Sequence, residues 1–123
     1  MTTNPSLNSF DSGGSLTSEF AGDPDMAELV RLFVEEMPER IDAMLQSWQS
    51  GAAGDLRRLA HQMKGACGGY GFPQVGHAAG RLENSLAAFG QSAELGDLEG
   101  LREQVEELVG LCRRVTADPE PGN

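Results

Sequence analysis

The chain has 123 residues, a length that suits one domain, and 39% of them are apolar, enough to fill a hydrophobic core. A formal charge of −10 at pH 7 argues against partners recognised through their own negative charge, so neither nucleic acid nor an anionic membrane is expected. No apolar run approaches the roughly 20 residues of a membrane span, and MTTNPSLNSF lacks the basic and apolar regions of a signal peptide. Cys67 and Cys112 form no CxxC motif, so two reduced, half-buried thiols in a cytoplasmic protein are expected.

Residues 1–17 are rich in Ser, Thr, Asn and Gly and read as a flexible N-terminal tail. Leu16 and Phe20 are candidates for a short helical turn over the core. The bundle proper is expected over 18–117, with Asp23 as N-cap and Pro24 in the first helical position of a helix reaching about residue 49. Met26, Leu29, Val30, Phe33, Met37, Ile41, Met44, Leu45 and Trp48 form its apolar stripe, spaced by three and four. The stripe keeps its phase across Pro38, so the proline reads as a kink within a continuing helix.

A second helix is expected from near Asp55 to about Tyr70, with Gly71 near its C-terminal cap, and a third from Pro73 to about Phe89. In the third, Val75, Ala78, Ala79, Leu82, Leu86 and Phe89 point inward. A fourth runs from about Asp97 to about Thr116, with Leu98, Leu101, Val105, Leu108, Cys112 and Val115 on one face, before a tail over 118–123. Nothing reads as a strand. The pattern is that of an all-α antiparallel four-helix bundle with a short N-terminal helical turn.

The segment LAHQMKGACGGYG, residues 59–71, carries the chemistry. Successive helical residues turn by about 100°, which puts Leu56, Leu59, Met63, Ala66, Cys67 and Tyr70 on the half of the helix opposite His61. That half is the core face, so His61 faces solvent. Three and four residues away stand Arg57, Arg58, Lys64 and Gly65, with Gly68 next on the same line. Lys64 is the chain's one lysine, and Leu56 to Leu82 contains no Asp or Glu although the chain has 19 of them. Each helical glycine is destabilising by about 1 kcal/mol relative to alanine. Helix packing or fraying accounts for Gly69 and Gly71, but outward glycines at 65 and 68 suit the close approach of another protein. An exposed imidazole is a nucleophile near neutral pH, and the cations around it would stabilise a phosphoryl group.

These residues resemble the histidine-containing phosphotransfer (HPt) domains of multistep phosphorelays, whose core reads roughly Ala-His-x-Leu-Lys-Gly, two small residues, three variable ones and Gly. Here that is AHQMKGACGGYG, with Met63 in the leucine position and Ala66 and Cys67 where serine is common. LVRLFVEEMPERIDAML, GDLRRLAH and AAGRLE resemble the flanking family pattern, so the resemblance spans about residues 19–115. It implies that His61 relays a phosphoryl group between aspartates of receiver domains, those of response regulators or hybrid histidine kinases. Lys64 then neutralises the phosphoryl charge and Gly65 keeps the approach open, while Arg57, Arg58 and Gly68 contact the partner. The chain would be a monomeric carrier with no kinase activity and no cofactor, the Mg²⁺ of the reaction sitting on the receiver.

Two other readings follow from the same residues. Four-helix bundles hold di-iron sites through Glu-x-x-His pairs, but the positions three before His61 and His77 are Arg58 and Gln74. A hydrolase triad needs an acid to orient the histidine, and none is expected near His61. GFPQVGHA lacks the Lys and Ser/Thr of a phosphate-binding loop. His77 reads as a surface or half-buried polar residue. The other reading is a receiver-binding module of the same fold that exchanges no phosphate.

Overall fold

The computed structural model describes residues 14–89 and 99–117. Its described helices are α1 (Ala27–Gln49), α2 (Ala53–Tyr70), α3 (Pro73–Phe89) and α4 (Arg102–Cys112), with two-residue strands β1 (Leu16–Thr17) and β2 (Val115–Thr116) at the ends. The chain is an all-α four-helix bundle. Side-chain contacts fix the direction of its helices. His61 meets Glu83 and Lys64 lies against Gly80, while Ser85 meets Gln104 and Arg81 meets Glu107, so α3 runs antiparallel to both α2 and α4.

The core follows the expected stripes. Val30, Phe33, Met37, Ile41 and Met44 of α1 are buried with Leu56, Ala60, Met63 and Cys67 of α2. Val75, Ala78, Ala79, Leu82 and Leu86 face them from α3, as do Leu101, Val105, Leu108, Val109 and Cys112. Leu98 and the Phe89 side chain lie outside the described residues. Leu29 departs from the expected stripe and is 47% exposed, because the helical turn of about 100° per residue puts it at the edge of the face that Val30, Phe33 and Met37 bury. Helix α1 continues through Pro38. Both cysteines are free thiols, and both are fully buried where half-burial was expected. Desolvation pushes each thiol up to about 12, which keeps it protonated and unreactive.

Three boundaries differ from expectation. Asp23 and Pro24 mark a turn before the helix. The Asp23 carboxylate accepts from the Asp25 N–H and its carbonyl accepts from Met26 and Ala27, so α1 begins at Ala27. Helix α4 ends at Cys112, and Val115–Thr116 pairs in parallel with Leu16–Thr17. Leu16 is therefore in a strand, while Phe20 lies in a turn packed on the core. Of the expected tail, residues 1–13 lie outside the described residues, as does 118–123.

This N-terminal strap holds the end of α2. The buried Ser18 hydroxyl donates to the Tyr70 carbonyl at 2.6 Å, and the Glu19 N–H donates to the Gly71 carbonyl at 2.9 Å. Both acceptors belong to the end of a helix, where carbonyls have no partner within the helix. Gly71 is left-handed at φ 85°, and a Cβ there would lie 2.7 Å from Ser18 Oγ and 2.8 Å from the Glu19 nitrogen. Only glycine fits this cap.

Candidate functional site

Helix α2 sends its apolar residues inward and leaves His61, Lys64, Gly65 and Gly68 exposed. The His61 side chain is 65% exposed. A Cβ added at Gly65 or Gly68 would meet nothing within 4 Å, and the same holds at Gly69, so none of the three serves packing inside the bundle. Arg57 and Arg58 are exposed on the same helix, Arg58 within 3.5 Å of Asp55.

One residue that the sequence did not single out completes the group. Glu83 of α3 places Oε2 2.8 Å from His61 Nδ1 and Oε1 3.3 Å from Lys64 Nζ, with its side chain only 16% exposed. This corrects the reading that no acid stands near His61. The acid comes from the neighbouring helix, not from the histidine's own. A signal for it existed. Helices α2 and α3 form a tight antiparallel hairpin, and the pairs His61–Glu83, Lys64–Gly80 and Gly68–Gly76 are each equidistant from Phe72. Glu83 is also the first acid after the acid-free stretch.

Burial raises the Glu83 carboxyl's affinity for a proton, but the contact with His61 and the Lys64 ammonium together outweigh it and hold the group below the usual carboxylate range. Glu83 is thus an anion, and Nδ1 of His61 is the ring nitrogen that carries a proton toward it. Nε2 is left with its lone pair directed away from Glu83. Lys64 forms an ion pair with Oε1, yet that oxygen has no well-aligned hydrogen bond. The shared acid holds the ammonium near the imidazole.

The seam between α2 and α3 is narrow because α3 offers Gly76 and Gly80 to it. A Cβ at Gly76 would touch the Lys64 carbonyl at 3.6 Å. Outside this seam runs a groove of about 540 Å³ lined by Lys64, Gly68, Gly76, His77 and Gly80 among others. Among the described residues, no group of three His, Cys, Asp or Glu is placed to hold a metal ion, and no helix is long and apolar enough to cross a membrane.

Residues 28–117 match the family model of the Hpt domain. The chain belongs to the Hpt domain family. Hpt domains are phosphocarrier modules of phosphorelays, not kinases, and they interact with receiver domains. No curated protein and no solved structure matches the chain.

Proposed function

We propose that this Hpt domain carries a phosphoryl group on Nε2 of His61, taken from the aspartyl phosphate of one receiver domain and passed to the aspartate of another. The observation that carries the reading is the contact between Glu83 and Nδ1 on an imidazole otherwise open to solvent. As Nε2 attacks, the N–P bond forms and the bond from phosphorus to the aspartyl oxygen breaks, releasing the receiver's carboxylate. The ring keeps its Nδ1 proton and becomes cationic, and the Glu83 carboxylate lies where that charge develops. Lys64 supplies a cation to the phosphoryl oxygens.

Docking draws on the bare backbone at Gly65 and Gly68 and on Arg57 and Arg58. It also draws on Leu29 and Leu32 of α1, which are 47% and 43% exposed. Phe33 stacks on Tyr70 with ring centres 4.8 Å apart, so this end of α1 flanks the last turn of α2. On this reading the chain acts as a monomer in the cytoplasm, and the receiver holds the Mg²⁺. A receiver-binding module that exchanges no phosphate would have no use for an acid on Nδ1.

Transfer of label from an aspartyl-phosphorylated receiver tests the reading. Wild type is expected to take up an acid-labile, base-stable phosphoryl group, as a phosphoramidate is, and His61→Gln to take up none while keeping its fold. Label on the glutamine variant, or an acid-stable adduct on wild type, overturns the assignment.

A further inference from the structure

We propose that Gly80 of α3 is a positioning residue that forms the bed for the Lys64 side chain and thereby holds its ammonium beside His61. The inference rests on the reading that His61 carries the phosphoryl group, and it adds a residue that lies outside the histidine segment AHQMKGACGGYG. Lys64 stands on α2, three residues from His61, where a free lysine side chain would extend into solvent. Instead its stem crosses to α3. A Cβ built on Gly80 would lie 3.1 Å from Lys64 Cδ and 3.9 Å from Cγ, so the stem occupies the space that a side chain at 80 would fill. One turn further along α3, Glu83 receives the ammonium at 3.3 Å. The stem and the head group are thus held by two residues of the same helix, three apart and on one face.

This bed has a consequence for the transfer step. Lysine loses much rotamer freedom when it is fixed, and a lysine already fixed loses less when it meets the phosphoryl group. Gly80 removes the steric obstacle, and Glu83 holds the ammonium without an aligned hydrogen bond. The ammonium is therefore near the imidazole before the reaction, where a phosphoryl group on Nε2 would meet it. Glycine within a helix is destabilising relative to alanine, and at Gly80 the space it leaves is taken by the lysine.

The test uses Gly80→Ala and Gly80→Leu, each with Lys64 intact and with Lys64→Ala. Two quantities are measured, the label-transfer rate and the titration of the Glu83 side-chain carboxyl followed by carbon NMR. With Lys64 present, Gly80→Leu is expected to slow transfer about ten-fold, the lower end of what one charge-assisted contact supplies, and Gly80→Ala about three-fold. Both are expected to raise the Glu83 midpoint, since the lysine is pushed off its carboxylate. With Lys64→Ala, substitution at 80 is expected to change neither quantity further, which a merely structural role would not produce. Gly80→Ala should melt no lower than wild type, since alanine is the better helix former. An unmoved Glu83 midpoint, faster transfer, or an equal slowing in the Lys64→Ala background overturns the assignment. Wild type that takes up no label instead overturns the transfer reading, and the Glu83 titration still judges the bed.

Discussion

The molecule holds two histidines on exposed faces of adjacent helices, and only one is built into a site. His61 and His77 both fall in the stretch without acids, and both have basic residues within a turn or so, Arg57, Arg58 and Lys64 for one and Arg81 for the other. His61 has the Glu83 carboxylate at 2.8 Å and the Lys64 ammonium sharing that acid. Among the described residues, His77 makes no hydrogen bond or ion pair, and its neighbour Arg81 is turned to Glu107 at 2.7 Å. Exposure and nearby cations are therefore shared by both rings. What separates them is an acid delivered from the next helix, and that depends on the register of a hairpin.

Loss of the His61 ring removes the acceptor altogether, so the sharpest contrast after it lies at Glu83. Glu83→Ala is expected to slow transfer ten- to a hundred-fold, because one hydrogen bond to a charged group is worth about 1.5–3 kcal/mol. Transfer at the wild-type rate in Glu83→Ala would make the two histidines equivalent and break the comparison. The stability of wild type relative to Glu83→Gln should also depend on pH. Glu83's folded carboxyl titrates below the ordinary value, so its contribution is present above the ordinary glutamate value of about 4.3 and is lost as pH falls through the lower folded value. Denaturant titrations of both proteins at neutral and acid pH check this, and a gap that widens toward acid would contradict it.

Lys64→Ala comes next, with about ten-fold slower transfer and an unchanged melting temperature, since the side chain is half exposed and one charge-assisted contact is lost. An unchanged rate would shift the role to Arg57 or Arg58. At Gly65, stability and function should part company. Gly65→Ala adds up to about 1 kcal/mol of helix stability into open space while weakening transfer, and Gly65→Gln weakens it further. A thermal melt and a label-transfer assay on both variants decide this, and a lower melting temperature for Gly65→Ala would contradict the outward orientation. His77→Gln completes the series with no change in transfer, measured in the same assay. A clear loss there would show that the ring without an acid also takes part.

The helices α2 and α3 were legible in the sequence because their signals are local. Gly71 and Pro73 bound them, and the apolar spacing places His61 opposite Met63 and Cys67. Gly65 and Gly68 could be read as outward for the same reason. Asp23 and Pro24 misled because a side-chain cap serves a turn as well as a helix, so the true start of α1 depends on which turn the tertiary structure extends. The pairing of Leu16–Thr17 with Val115–Thr116 joins the segment before α1 to the segment after α4 and leaves no periodic trace in two residues. Glu83 was not legible in this way, although it closes the segment AAGRLE. A helical wheel reports the neighbours on one helix, and an acid on the next helix comes into view only when the hairpin is closed around Phe72.

That closure makes the length of one connection part of the chemistry. An inserted residue after Gly71 would leave every motif residue of α2 in place and α3 intact as a helix. It would nonetheless bring a different residue opposite His61, Leu82, whose side chain belongs in the core. The short turn thus acts as a ruler, and a homologous chain that kept His, Lys and Gly but altered this spacing would keep the signature of the site without its acid.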